Sequence, residues 1–530
     1  MALSVIQAGV ALTIGLLLLK ILKGRSTNSS ARPLPPGPRP IPLIGNLRDL
    51  PPHGEQEWVH WSKHKDLYGP ISSITVMGQT IIILNDARSA TELLDKRSAL
   101  YSSRPTLTFA FEMCGWLNLM GGQPYGERFR AYRKHVHSLM GGLHLLDKFG
   151  QVQEQEVGRC LLRILQKPQD FVDHLRTEAG AIILKIAYGY TIDAHRPDPL
   201  VVLADEALDQ FSQATVPGKW LVDTLPALKH MPDWFPGAGF KRTAKEWSRT
   251  LHAVVEAPYR FVEHQITDGT APDSFLGDSL KDEKLSAQQR VEAKYTAASL
   301  YTGGADTTVA SLSIFCLAMT MYPEVQKKAQ EEIDHVIGDQ RLPTFRDRSN
   351  LPYIEAVIKE TYRWHPIGPM GLPHASTQDD EYNGHLIPKG SILMPNTWVF
   401  THDPERYQDP MRFNPDRFLP TEEHAAEQDP TRYIFGFGRR ICPGRALADQ
   451  SIYLTIAQTL AVFNFSKPDG ADNPSPKFTA GVISHPEPFQ AKIRVRDSQR
   501  ERLIRQIEVK YPWEKSDADY FKGVSMPKGH

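Results

Sequence analysis

The sequence predicts a mainly α-helical chain with a smaller β-rich part, an α+β fold, behind a separate N-terminal segment. Most of the stretch from 150 to 300 is helical in pattern, residues 181–188 among it. A long apolar helix is expected over 291–321. The strand signal is narrower: 71–77 and 80–84 are β-branched and apolar, and Gly78-Gln79 between them predicts a hairpin with glycine first in a two-residue turn. No low-complexity linker divides the chain after residue 42, so one large domain is expected.

The N-terminus comes first. Residues 2–22 are apolar apart from Ser4, Gln7, Thr13 and Lys20, and as a helix would span roughly 30 Å, about one bilayer core. Lys20, Lys23 and Arg25 follow the apolar run and predict a cytosolic body. A cleaved signal peptide would need a basic start, a shorter apolar run and a small-residue cleavage site. Residues 1–25 are therefore expected to be a transmembrane anchor with a basic flank. Residues 26–42 read as a polar tether and a proline-rich hinge, stiff and extended from Pro33 to Pro42. A ligand for proline-binding domains is the other reading of that run. The main domain is expected over 43–497, and 498–530 reads as a charged, peripheral C-terminal tail.

The chain has 61 Lys and Arg against 61 Asp and Glu, which gives no reason to expect nucleic acid. Its four cysteines, Cys114, Cys160, Cys316 and Cys442, are far apart and form no C-x-x-C pair, which suits a reducing compartment. Residues 104–124 are irregular and carry Phe109, Phe111, Met113, Trp116, Leu117 and Met120, either core filler or a binding surface. The proline-punctuated stretch 225–237 holds Trp234 and Phe235; it reads as a buried loop or a second membrane contact. The helix over 291–321 is interrupted by Gly303-Gly304-Ala305-Asp306-Thr307-Thr308. Two glycines cost a helix about 1 kcal/mol each, and an acid in so apolar a stretch needs a reason. Glu360 and Arg363, three apart on a helix, would alone be a minor surface pair.

The most specific stretch is Phe435-Gly436-Phe437-Gly438-Arg439-Arg440-Ile441-Cys442-Pro443-Gly444. Glycine lets a backbone approach a flat partner, Pro443 suits a helix first turn, and a cysteine there beside arginines tends to ionise. A structural buried cysteine is the bland alternative. The loop instead suits presentation of a thiolate to something large, flat and anionic. Haem fits: iron takes the sulfur and the propionates want cations.

This stretch resembles the cysteine-loop signature F-G-x-G-x-R-x-C-x-G of the cytochrome P-450 haem-thiolate monooxygenases. The resemblance implies the mainly helical fold with a smaller β-rich part, and haem b (iron protoporphyrin IX) as cofactor. It makes Cys442 the axial iron ligand, Arg440 a propionate partner and Phe435 a neighbour of the sulfur. Residues 125–134 resemble the family helix that carries W-x-x-x-R, with Arg133 as a propionate arginine and Phe129 where the family usually has tryptophan. Gly303 to Thr308 match the oxygen-activation motif [AG]-G-x-[DE]-T-[TS], so Asp306 and Thr307 are the expected catalytic proton carriers. Glu360, Arg363 and Arg417 resemble the structural E-x-x-R and P-x-R-F triad. His374 matches a histidine that meets a propionate in microsomal relatives. Phe109, Phe111, Trp116, Ala305, Ile367 and Val482 are the expected substrate-pocket residues. Residues 484–489 look like the fungal microsomal branch, especially basidiomycete enzymes of secondary metabolism.

By that resemblance the chain inserts one atom of O₂ into a hydrophobic small molecule such as a terpenoid or other secondary metabolite. Electrons would come from NADPH through a separate NADPH-cytochrome reductase, with a b-type cytochrome as a further donor, at the endoplasmic reticulum membrane. A broad xenobiotic oxidase, a haem-thiolate isomerase or dehydratase, and a non-catalytic haem sensor are the alternatives. Arg128, Arg130 and Lys134 are a solvated face or a docking patch for an acidic redox partner.

Overall fold

The computed structural model describes residues 32–522 apart from 53, 141, 142, 217, 283, 423 and 473, and for 143–147 the backbone only. The expected anchor at 1–25, the tether up to 31 and residues 523–530 lie outside the described residues.

The proline run behaves otherwise than as a free spacer. Ser73 donates its amide to the Pro36 carbonyl at 2.9 Å and its hydroxyl to Pro35 at 2.6 Å, while Leu386 N–H donates to Pro33 at 2.9 Å. Prolines keep their carbonyl acceptors, so an extended proline run can still be bound along a strand edge. The folded body therefore begins near residue 33.

Helix α1 (Glu57–Tyr68) leads into strands β1 (Ile71–Val76) and β2 (Gln79–Leu84), paired antiparallel from Ile71↔Leu84 to Val76↔Gln79. The turn between them is Met77-Gly78, both with positive φ (48° and 88°), one residue earlier than the sequence suggests. Both central residues of such a turn must be left-handed, and strand twist favours it enough to place Met77 there.

Four long helices form the next layer: α2 (Glu127–Met140), α3 (Leu143–Gln166), α4 (Phe171–Tyr188) and α5 (Pro199–Ala214). They are followed by α6 (Gly239–Thr267) and by the central pair α7 (Ala287–Gly304) and α8 (Thr307–Met321). Helix α7 starts four residues before the apolar run because Ser286 caps it in a reciprocal box with Gln289. Every residue of α8 from Thr308 to Thr320 is buried. The 287–321 stretch is long and apolar enough to cross a membrane, yet 78% of its apolar window is inside the protein, so it is a core helix.

After α8 come α9 (Pro323–Val336) and α10 (Pro352–Trp364), then β3 (His374–Ala375), β4 (Asp380–Tyr382), β5 (His385–Ile387) and β6 (Ile392–Pro395). Strand β6 runs parallel to β2 and antiparallel to β3, giving a sheet ordered β1-β2-β6-β3, with β4–β5 a separate ladder. Helix α11 (Arg445–Val462) continues into β7 (Phe463–Ser466), which pairs with β8 (Lys492–Val495). One core gathers α4, α5, α6 and the 109–120 loop; a second gathers α8, α9, α10 and α11.

The C-terminal segment is packed through residue 522, which corrects its reading as a peripheral charged tail. Helix α12 (Ser498–Lys510) buries Leu503, Ile504 and Ile507 and packs on α3, where Ile507 lies against Gly158. The Trp513 ring sits under the guanidinium groups of Arg159 and Arg163, 5.2 and 5.4 Å away. Glu514 meets Lys185 at 2.9 Å, Asp517 accepts from the Thr191 amide at 2.8 Å, and Phe521 packs with Tyr190 and Phe261. The apolar residues of α12 recur at helical spacing, while Arg502, Arg505, Glu508 and Lys510 are exposed.

Candidate active site

Cys442 is placed by a closed loop. Gly436 has φ +79°, which turns the chain after Phe435. At Gly438, φ +51°, a Cβ would lie 2.6 Å from the Leu94 carbonyl oxygen, so only glycine fits against that segment. The Cys442 amide donates to the Phe435 carbonyl at 2.7 Å and closes the loop. The Phe435 ring stands edge-on to Tyr362 at 5.7 Å. Helix α11 begins at Arg445 with Gly444 as its cap, so Pro443 stands just outside the helix.

Burial pushes the Cys442 thiol up, and the backbone N–H groups of Gly444 and Arg445 together with Arg133 act against it. The cations that act on the sulfur are thus Arg133 and Arg445, not the two loop arginines the sequence suggests. Arg439 is directed to the Tyr125 hydroxyl at 3.1 Å. Arg440 lies 3.8 Å over the Phe129 ring and donates to the Ser102 carbonyl at 2.6 Å. Phe129, which lacks the indole donor of the usual tryptophan, therefore supplies a ring face to Arg440.

Arg133 donates to the Ile441 carbonyl at 2.7 Å. A further arginine that sequence reasoning missed, Arg104, donates to the carbonyls of Leu372 and Pro373 at 2.8 and 2.7 Å. His374 is buried and donates Nδ1–H to the Tyr101 carbonyl at 2.7 Å. Burial, then Arg104, push its pKa down to about 3, so the ring is neutral with Nε2 as an acceptor. Burial and then Arg104 and Arg133 lower Arg440 to about 8, and burial lowers Arg104 to about 10. No described Asp or Glu pairs with Arg104, Arg133 or Arg440. Buried charges are normally paired, so this cluster calls for an anion, and two carboxylates on one flat group meet that need. Cys442 within reach of Arg133 completes a donor set that fits haem. Donation from His374 Nε2 to such a carboxylate would require the imidazolium, which the present surroundings disfavour.

A second group surrounds the break between α7 and α8. Gly303 is exposed although its neighbour Thr302 is buried, and a Cβ on it would meet no atom within 4 Å. Gly304 serves packing instead: a Cβ there would lie 3.1 Å from Ile183 of α4. Asp306 stands at the break, and the Thr307 hydroxyl donates to the Gly303 carbonyl at 2.9 Å. Ala305 is buried beside them. Helix α8 packs on α11, which ties the break to the helix that follows Cys442.

Ile367 and Val482 come from two loops laid together. The Ser484 amide donates to the Ile367 carbonyl at 2.8 Å, and the Ser484 hydroxyl lies 2.8 Å from His365 Nε2. Phe109, Phe111 and Trp116 belong to the same buried core as Ala305. Phe109 is fully buried, stacked 3.6 Å from Trp220, and Trp116 packs on Phe211. Phe109 in particular is a packing residue, since all of its ring is covered by neighbouring side chains.

Behind the cysteine loop, Arg363 makes two bonds to Glu360 at 2.7 and 2.8 Å, and Arg417 adds one at 3.2 Å. The remaining guanidinium donors go to the carbonyls of Thr401, Pro410, Arg412 and Gln408 and to Glu427. Of the basic face on α2, Arg128 is partly buried over Tyr132 and Tyr295, which leaves Arg130 and Lys134 exposed.

The family model of cytochrome P-450 matches residues 35–493. A cytochrome P-450 monooxygenase, claR, from Ampulloclitocybe clavipes is 51% identical over 478 residues, 89% of this chain and 88% of that protein. A cytochrome P-450 monooxygenase, ppsD, from Aspergillus oryzae is 47% identical over 507 residues, 94% of each chain. An O-methylsterigmatocystin oxidoreductase from Aspergillus flavus is 42% identical over 518 residues, 97% of each. The cysteine loop, the unpaired arginine cluster and the full-length similarity agree, and the chain belongs to the cytochrome P-450 family of monooxygenases.

Proposed function

We propose that this chain is a membrane-anchored haem-thiolate monooxygenase that oxidises a hydrophobic secondary metabolite, with haem b held by Cys442, Arg104, Arg133, Arg440 and, on protonation, His374. The observation that carries the reading is the packing of α8, which starts at the Asp306–Thr307 break, on α11, the helix that follows the Cys442 loop. An isomerase or a sensor has no use for a proton-handling pair there. Two of these full-length relatives bear monooxygenase names, and the third is an oxidoreductase named for a defined small molecule, O-methylsterigmatocystin. When bound, a thiolate-ligated haem supplies O–O cleavage and insertion of one oxygen atom. The protein's part is to order protons: Asp306 exchanges them, and Thr307 presents a hydroxyl that must turn from the Gly303 carbonyl to donate.

Thr307→Ala is expected to keep substrate binding, since alanine suits a helix. Product formed per NADPH should fall about tenfold while peroxide rises, below the usual range for acid–base assistance because water replaces part of it. The measurement is coupling with purified reductase on a panel of terpenoid, polyketide and indole compounds. Full coupling on an accepted substrate would remove Thr307 from the proton path.

Residues 1–25 would anchor the body on the cytosolic face of the endoplasmic reticulum. Support for a second contact comes from the 225–237 loop, where Trp234 is 80% exposed beside exposed Phe235, Leu221 and Leu225. The 41–50 segment, with exposed Leu43 and Leu47, meets the chain before that loop, where Leu50 lies beside Gly218. Deleting residues 1–25 should leave a fraction of the protein on membranes. Trp234→Ser with Phe235→Ser should release it, since each buried aromatic contributes about 1.5–3 kcal/mol. Sedimentation with vesicles decides this; complete solubility of the first deletion would rule out the loop contact. Arg130 and Arg439 flank the Tyr125 ring and, with Lys134, form the surface suited to an acidic reductase.

A further inference from the structure

Asp306 is held by a residue of the 484–489 stretch, to which the family resemblance assigns no role. Its Oδ2 lies 3.0 Å from Nε2 of His485, with the carboxylate 13% exposed and the imidazole 26%. His485 belongs to a hairpin bridged at Phe478 and Pro486. Its amide donates to the Thr479 hydroxyl at 3.0 Å, and its carbonyl accepts from the Thr479 amide at 2.8 Å. Ser484 before it is fixed to Ile367 and His365, so the ring approaches the helix break from a rigid loop.

The pair has charged neighbours on each adjoining element. Asp205 of α5 meets Arg176 of α4 at 3.6 Å, both about a third exposed, and Arg176 also binds Asp173 at 2.8 Å. His365, at the end of α10, lies behind Ser484. Burial raises Asp205 to about 6; Arg176 and His485 act against this, and Asp306 adds to it. Asp205 is thus within electrostatic reach of both His485 and Asp306, and its pair with Arg176 opens to solvent. Histidine titrates between about pH 5 and 8, where a lysine or arginine in its place would stay charged.

We propose that His485 is a positioning residue of the proton path: it orients the Asp306 carboxylate at the helix break and passes it protons from the solvent side. The imidazole takes up one proton from water near Asp205 and releases one through Nε2 to Asp306 Oδ2, its charge unchanged over the cycle. The inference rests on Asp306 serving proton delivery.

The first test needs no turnover. Deuterium exchange at the C2–H of His485 at fixed pH, followed by mass spectrometry on the holoenzyme, reports the surroundings of the ring. Asp306→Asn removes the carboxylate that the ring faces and should change the exchange rate by about twofold or more. An unchanged rate overturns the pairing.

The second test compares wild type, His485→Gln and His485→Leu with reductase and an accepted substrate. Glutamine keeps a donor at similar reach and cannot titrate. His485→Gln should keep KM and the substrate-induced spectral change within about twofold, lose about three- to tenfold in product per NADPH, and lose the fall in coupling as pH rises. His485→Leu should lose coupling and substrate affinity together. If His485→Gln retains both coupling and pH profile, His485 only latches the hairpin and the proposal is wrong. If Asp306→Asn and Thr307→Ala both stay fully coupled, the assigned proton path fails and this inference fails with it.

Discussion

Cys442→Ser is expected to abolish the reduced carbon-monoxide band of thiolate-ligated haem and to bring turnover to the level of a control lacking the protein. The sulfur is the soft, charge-donating ligand, and a serine oxygen is a poor replacement for it. The loop should survive. Its closing bond runs from the residue 442 amide to the Phe435 carbonyl, and its tight packing is made by Gly438, so neither uses the sulfur. Far-ultraviolet circular dichroism should therefore remain near wild type. Haem retained without the thiolate band would show the arginine cluster holding the group alone; a retained thiolate band would mean that Cys442 is not the ligand.

Glu360→Ala is expected to prevent accumulation of folded protein. Glu360 and the Arg363 side chain are 0% exposed and the Arg417 side chain 2%. Removing the carboxylate leaves the buried Arg363 guanidinium without its anion and Arg417 with Glu427 alone, and breaking such a network costs about 3–5 kcal/mol. Against a total stability of about 5–15 kcal/mol, that is a large share. The Asn414 amide, which donates to Glu360 at 2.7 Å, loses its acceptor too. A nearby control is the Lys328–Asp416 pair, half exposed on both sides. Asp416→Asn should change stability by about 1 kcal/mol or less, as exposed pairs do. Soluble yield and urea unfolding of the two variants test the contrast; equal effects would refute the structural role of the triad.

Why these features differ in legibility follows from how far apart their parts lie. Glu360 and Arg363 are one helical turn apart, and the Cys442 loop is a continuous stretch, so local sequence carries most of their geometry. Arg104 lies in an irregular loop and finds the carbonyls of Leu372 and Pro373, 268 and 269 residues away. His485 and Asp306 are separated by 179 residues. A lone arginine or histidine has no periodicity, so nothing local announces such a partner. The C-terminal strap was obscured by its charge, although Leu503, Ile504 and Ile507 keep helical spacing. The proline run read as a spacer by composition, because its binding depends on the free edge of β1, which composition does not describe.

The strap has a consequence in the order of synthesis. It is translated after every element it covers. Tyr520 reaches the Arg260 carbonyl across 260 residues of chain. At ~5–20 residues per second, roughly 13–50 s separate the emergence of α6 from that of its cover. Until then the seam of Tyr190 and Phe261 and the α3 face at Gly158 lack the strap's packing. During that interval the nascent protein leaves this apolar side uncovered, and its consolidation waits on the strap.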